Sequence, residues 1–390
     1  MFLRYRLAPT FLVSPAAPCG RVWPCRTADG ADRSPPRGKL NRMSFAPQHP
    51  SPTQSSRAHG CLLGGALGDA LAGNPGHARE GSAAVPASLR FTGTTQLALY
   101  SLDGLLDALE WANAGTGADV NACIWLAYLR WYLTQEGALP PSAPAPQPRW
   151  IDGREVLHQR LDPDGTSLSG LATGEMGTSF RPVNPDAKGA APVSRSAAFG
   201  LVPHIDSAMV SKISSDAASL THGHPAARQA AGLFSSLIHH LCAGDGLAQA
   251  TERILAAATE AEQPAPELLE RLAAAQRLAA TPLLPPEKVS QELGGGHAAE
   301  EALAVGLYSV LATADGPDGP RTPQEHARAA IVAAVASGTA GHSTGSVAGS
   351  ILGALYGDEC LPVDWLDALE GRDEIRGLVD QLLKVTVAPE

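Results

Sequence analysis

Apolar positions along the chain fall into blocks of helical period separated by short breakers. Between Leu97 and Trp111 the residues Leu97, Leu102, Leu105, Leu106 and Leu109 recur at helical spacing, which predicts an amphipathic helix. Val120 to Leu133, rich in Trp and Tyr, reads as a buried helix. Ala226 to Cys242, Leu247 to Thr259, Pro266 to Ala280, Ala298 to Ala312 and Pro323 to Ser337 read as further helices. Pro225, Pro266 and Pro323 stand at or near helix starts, where a missing N–H costs nothing. Gly137 to Pro148 is a Pro-rich loop. No stretch alternates as a run of strands would, so the expected fold class is all-α.

Two of the blocks carry glycines at every fourth position: Gly60, Gly64 and Gly68, then Gly345, Gly349 and Gly353. Such glycines share one helical face and let another backbone approach closely. Each costs roughly 1 kcal/mol in a helix relative to Ala, so a ridge of three implies a packing reason. The same spacing is familiar from membrane helix pairs, but Asp69 and the short apolar length oppose that reading here. The expectation is two tightly packed central helices.

Composition narrows the class. With 390 residues and 44% hydrophobic content the chain is long enough for one large core. Aromatics make up only 5%, with Ala and Gly in their place, which suits close packing over small side chains. The formal charge of −10, without a compensating basic stripe, disfavours nucleic acid as a partner. No apolar run reaches the ~18 residues of a membrane span. Cys19, Cys25, Cys61, Cys123, Cys242 and Cys360 are scattered with no C-x-x-C pair, which argues against a disulfide framework or zinc knuckle and fits a reducing cytoplasm. Residues 1–56 are Pro-, Arg- and Ser-rich with no sustained period. Arg4, Arg6 and Phe11-Leu12-Val13 give a faint signal-peptide outline that Pro9 and Pro15 break. The expected organisation is a disordered arm over 1–56, or a chain that truly begins at Met43, followed by one domain over 57–390.

Four stretches, in order along the chain, resemble the ADP-ribosylglycohydrolase family. Gly60-Cys-Leu-Leu-Gly-Gly-Ala-Leu-Gly-Asp-Ala-Leu-Ala-Gly73 looks like its opening helix. Leu220-Thr-His-Gly-His-Pro225 resembles its Thr-His-x-x-Pro junction. Leu293-Gly-Gly-Gly296 followed by Ala299-Glu-Glu-Ala-Leu303 is similar to a late segment, and Thr344 to Gly357 to its C-terminal helix. The resemblance implies an all-α bundle with a central cleft and a binuclear Mg²⁺ hydrolase that removes ADP-ribose from side chains or conjugates. In that family the metals are held by an early Thr/Ser-Asp-Asp motif and a late Asp-x-Asp-Ser/Thr motif. Magnesium is hard and strongly hydrated and needs such oxygen ligands with their charge, and two ions together can orient an attacking water.

This chain departs from both motifs. The early one reads Thr92-Gly93-Thr94-Thr95, and the aspartates have become Gly93 and Thr94. The late one reads Ala340-Gly341-His342-Ser343-Thr344, with Ala340 and His342 at the aspartate positions. Only the hydroxyls of Thr92 and Ser343 remain. Neutral hydroxyls do not hold two adjacent divalent ions, and a nitrogen donor at His342 does not suit Mg²⁺. Loss at both halves implies abandoned metal binding, so no metal cofactor is expected. The family's Lys-Gly-Cys-Gly stretch before Met-Arg reads Lys188-Gly-Ala-Ala-Pro-Val-Ser-Arg195, with the small inner residues changed.

The expected ligand-binding residues are therefore Thr92, Gly93, Thr94, Thr95, His297, Gly341, His342, Ser343 and Thr344. Gly338 to Gly345 reads as a glycine-rich turn entering a helix, capped by Ser343 or Thr344, whose free N–H groups favour a phosphate. Asp69 is the one catalytic candidate, set against a buried hydrogen-bonded carboxylate. His222 and His224, with His239, His240, His297 or His342, are either zinc ligands or helix caps. Glu300 and Glu301 open a helix, where solvation is the expected fate. Three functions fit: a non-hydrolysing binder of ADP-ribose or an ADP-ribosylated protein; a hydrolase rewired through Asp69, Asp216 or His342; and a structural protein with a collapsed cleft.

Overall fold

The computed structural model describes residues 51–73, 87–316 and 319–386. The N-terminal arm lies outside these up to residue 50. The expected boundary at Arg57 falls inside a helix, because Thr53 accepts the Ser56 N–H at 3.1 Å and starts the first turn at Gln54.

Nearly all regular structure is helical: α1 (Gln54–Ala72), α2 (Gly93–Asn113), α3 (Val120–Glu136), α4 (Gly165–Ala172), α5 (Ala191–Ser194), α6 (Ser207–Ala218), α7 (Pro225–Cys242) and α8 (Leu247–Glu260). There follow α9 (Pro266–Ala279), α10 (Pro286–Leu293), α11 (Ala299–Ala312), α12 (Pro323–Ala336), α13 (Gly341–Tyr356), α14 (Val363–Ala368) and α15 (Arg372–Thr386). A two-residue ribbon pairs Asp315–Gly316 with Gly319–Pro320. No helix among the described residues is long and apolar enough to cross a membrane. The all-α expectation holds.

Two helices form the axis. Both α1 and α13 are buried on almost every side, as helices apolar all round must be. They run antiparallel, and their glycine ridges meet each other: Gly60 lies on the Gly353 backbone, Gly64 on Gly349 and Gly68 on Gly345. A methyl at Gly64, Gly68, Gly349 or Gly353 would run into a carbonyl of the opposite helix. The packing reason inferred for the ridges is this backbone contact. At its far end Arg57 donates to the Ala354 and Leu355 carbonyls at 2.6 and 2.7 Å, satisfying orphan C=O groups at the α13 C-terminus.

The other helices surround this pair, with α11 and α12 packing on α13, and α15 on α1 and α2. The predicted helices are all present, and α2 starts four residues earlier than its apolar period, because Thr92 caps it by accepting the Thr94 N–H at 3.2 Å. The Pro-rich segment is a loop, as expected, held by charge. Arg149 donates to Asp103 at 3.0 Å and to Asp107 and Glu110 at 3.1 Å, and Arg130 pairs with Asp103 and Asp152.

The ridge makes a quantitative prediction. Gly64→Ala or Gly349→Ala is expected to lower the unfolding free energy by about 3 kcal/mol, the upper range for overpacking, despite the ~1 kcal/mol gain in helix propensity. Gly117→Ala, with nothing near its Cα, is expected to stay within ~0.5 kcal/mol of the parent. Urea denaturation of the three variants checks both.

Candidate functional site

The glycine contact sets what stands at the other end of the axis. The ridge ends at Gly68 on α1 and begins at Gly345 on α13. The next residue along α1 is Asp69, and the first turn of α13 carries His342. Register thus places a carboxylate at the end of one helix against an imidazole at the start of the other.

Asp69 is 0% exposed and accepts from every side. Its Oδ2 receives the Thr92 N–H at 2.9 Å, the Thr95 N–H at 3.1 Å and the Thr95 hydroxyl at 2.6 Å. Its Oδ1 receives the Thr92 hydroxyl at 2.7 Å and His342 Nδ1 at 2.9 Å. The buried hydrogen-bonded reading of Asp69 is the one observed. In this arrangement the carboxylate lone pairs are taken up by protein donors. Asp69 serves as the clamp that joins α1, the start of α2 and the start of α13.

His342 Nδ1 is also 2.9 Å from the Asp69 carbonyl oxygen, so its N–H is shared between two acceptors of one residue. Burial opposes the charge on this ring. The hydrogen bonds and the negative charge of Asp69, aided by Asp162, outweigh burial and raise the His342 pKa above the usual imidazole value. The imidazole, its protonated form favoured by Asp69, therefore stands where the resemblance places a metal-bound carboxylate.

The early motif is closed from another direction. The Gly93 N–H donates to the Leu161 carbonyl at 2.7 Å, and a Cβ at Gly93 would lie 2.8 Å from Pro163 Cα and 3.3 Å from the Asp162 carbonyl. The loop 158–164 thus covers the position. Gln96 anchors it: its Oε1 accepts from Trp131 Nε1 at 3.1 Å and Gln135 Nε2 at 3.2 Å, which turns its amide NH₂ toward the Gln159 carbonyl at 2.7 Å. Arg160 adds a bond to the Gln135 carbonyl at 2.7 Å. Asp162 takes a positive φ of 45° to make the turn. Asp162-Pro-Asp-Gly165 is a turn signal legible in the sequence, but its destination above Gly93 is not local information.

The late motif differs from expectation at its cap. Helix α13 begins at Gly341 with Ala340 as its N-cap and no side-chain cap bond. Ser343 and Thr344 lie inside the helix; the Thr344 hydroxyl is buried and donates to the Ala334 carbonyl at 2.7 Å. The reason is Gly341, which accepts helical geometry two residues before the first hydroxyl. His297 is exposed and its Nε2 meets the Thr339 hydroxyl at 2.6 Å, beside the start of α13. The Gly295 carbonyl accepts the Ala340 N–H at 3.1 Å. So Thr92, Thr95 and His342 meet at Asp69, Gly93 and Thr94 lie in the same first turn of α2, Gly341 and Ser343 lie in the first turn of α13, and His297 is on the neighbouring segment.

Other expectations resolve differently. Glu300 is not solvated: it is 3% exposed and pairs with Lys188 at 2.9 Å, because its place in the first turn of α11 faces the 188–190 segment. His224 Nδ1 accepts the Ala226 N–H at 3.2 Å and caps α7. His239 and His240 bond the Gly200 carbonyl and Ser207, so the histidines are dispersed rather than convergent. Asp216 pairs with Lys212 within α6 at 2.6 Å. Among the described residues no three His, Cys, Asp or Glu side chains could together hold a metal ion. The donor set at the two motifs is one carboxylate engaged by five protein donors, hydroxyls and an imidazole, and it does not fit a pair of magnesium ions.

The Asp69–His342 pair carries a pH signature. His342 has a folded pKa above its unfolded value near ~6.5. Its contribution is fully present below the unfolded pKa and is lost as pH rises through the folded one. Urea denaturation from pH 6 to 9 is expected to show stability falling with rising pH, and His342→Gln is expected to flatten that slope.

The chain matches the ADP-ribosylglycohydrolase family over residues 50–390. No curated protein sequence matches it. A solved structure described as an ADP-ribosylglycohydrolase-related protein complex is similar at a TM-score of 0.55 and 22% identity, covering 86% of this chain and 99% of that one. That likeness concerns the fold. The family match extends over every described helix: the chain belongs to the ADP-ribosylglycohydrolase family.

Proposed function

We propose that this chain is a non-hydrolysing member of its family that binds ADP-ribose, free or attached to a protein, without magnesium. The observation that carries the proposal is His342 Nδ1 on the Asp69 carboxylate at 2.9 Å, in surroundings that favour the protonated ring. A cation built from protein takes the electrostatic place of a cation bound from solution. A hydrolase of this family type needs an ion pair that orients water, and the groups here orient each other instead.

Affinity for the ligand rests on two further features. The first-turn N–H groups of α13 have no side-chain cap, and the helix dipole adds partial positive charge there. The upward shift of the His342 pKa favours a protonated ring beside them. Both favour a diphosphate, which paired metal-site aspartates would repel in the absence of metal.

Calorimetric titration of ADP-ribose, first with chelator and then with excess Mg²⁺, tests the proposal. The expected dissociation constants agree within about twofold, and an ADP-ribosylated peptide is expected to release no ADP-ribose. His342→Ala is expected to weaken binding about tenfold, the ~1.4 kcal/mol scale of one charge-assisted contact. Binding that requires Mg²⁺, or hydrolysis of an ADP-ribosylated peptide, would falsify the proposal. Absence of heat in both conditions at several temperatures would leave a structural role.

A further inference from the structure

The C-terminal end of α7 brings a second set of chemically capable side chains together. His240 stands in the last turn of that helix, ~22 Å along it from Pro225. Its Nε2 is 3.2 Å from the Ser207 hydroxyl, and its Nδ1 is 3.4 Å from Asp245 Oδ2. Asp245 lies in the turn between α7 and α8. Gly244, at a positive φ of 100°, folds that turn back, and the Asp245 N–H donates to the His240 carbonyl at 3.0 Å. From the other side Arg253 Nε holds the same Oδ2 at 3.0 Å. A hydroxyl, an imidazole and a carboxylate thus stand in line, contributed by α6, α7 and the turn after α7.

Donor and acceptor chemistry assigns the protons. A carboxylate accepts only, so the imidazole nitrogen facing it carries the N–H. Nε2 then has a lone pair, and the Ser207 hydroxyl donates to it. Burial and the Arg253 charge, opposed by Asp245 and joined by His239, hold the His240 pKa below the usual imidazole value, so the ring is neutral at pH 7. A neutral imidazole with its lone pair on a hydroxyl is placed to take that proton as the oxygen attacks an electrophile.

Ser207 is also the first residue of α6. Asp206 caps the helix by accepting the Met209 N–H at 2.7 Å, and the first helical bond runs from the Val210 N–H to the Asp206 carbonyl. The N–H groups of Ser207 and Ala208 lie ahead of that ladder, where the helix dipole favours an oxygen gaining negative charge. Ser207, His240 and Asp245 are half-buried at the surface, and the neighbouring Asp206 is exposed. Its charge disfavours an anionic reactant.

We propose that Ser207 is a nucleophilic serine that accepts an acyl group from small neutral esters, with His240 as its base and Asp245 as the positioning residue for His240. The Ser207 Oγ bonds the ester carbonyl carbon as its proton passes to His240 Nε2. The bond to the leaving alcohol then breaks, and the alcohol departs with that proton, leaving an O-acyl serine and a neutral ring. This site is independent of the ADP-ribose reading.

Incubation of the full chain with p-nitrophenyl acetate tests it. The expected result is an acetyl group on Ser207 in peptide mass spectrometry, with a burst of one equivalent of p-nitrophenolate. The burst rate is expected to rise as His240 loses its proton, with a midpoint below 6.5, and to level off by about pH 7.5. His240→Gln is expected to slow acetylation about 100-fold, the low end for a general base. Asp245→Asn is expected to slow it about tenfold and move the midpoint lower, and Asp245→Glu to restore most of the rate, a rescue that a purely packing role would not produce. Acetylated lysines with an unmodified Ser207 overturn the nucleophile. Acetylation of Ser207 at the parent rate in His240→Gln, folded by circular dichroism, overturns the activation, as does a parent rate that climbs with hydroxide and never levels.

Discussion

Backbone contact between α1 and α13 governs the rest of the structure. Three glycines on each helix remove the side chains that would hold the axes apart. Close approach fixes the register, since carbonyls of one helix sit over glycines of the other and a shift by one residue would bring a side chain into the seam. Register in turn decides which residues meet where the seam ends. Asp69 and His342 are neighbours because Gly68 and Gly345 are. The chemistry of the site is thus a consequence of packing several residues away from it.

A wholly buried carboxylate at the meeting point of three elements needs compensation. Isolated, it would cost several kcal/mol of desolvation. Here four donors from Thr92 and Thr95 and one from His342 surround it. The threonines are neutral, so among these donors only His342 can bring a compensating charge, and Asp69 favours its protonated form. This is the physical sense in which an imidazolium can stand in for an ion: it balances the same field but brings neither open coordination positions nor a bound water.

Much of this was legible in the sequence because it depends on local period or on spacing along one element. Helical period located the helices, and the fourth-residue glycines identified the central pair before any contact was known. The residues of the two motifs did gather. What escaped was set by contacts distant in sequence. Glu300 opens a helix like any solvated glutamate, and only the approach of Lys188 buries it. The α13 cap was misplaced because a hydroxyl is the stronger capping signal, yet Gly341 lets the helix start before Ser343. The covering of Gly93 by Pro163 had no local trace beyond a turn motif, since it requires the loop to fold back across some seventy residues of intervening chain.

That covering loop also bears on descent. An aspartate arriving at position 93 by a single substitution would meet the Pro163 backbone before it met a metal. Another arriving at 342 would set a second carboxylate beside Asp69 with no cation between them. Each step taken alone is unfavourable, and neither yields a functional centre. Carboxylates at both positions would therefore require the loop that carries Asp162 to Asp164 to shift first. The loop acts as a ratchet: its backbone, as well as the side chains at positions 93 and 342, sets what this end of the helix pair can hold.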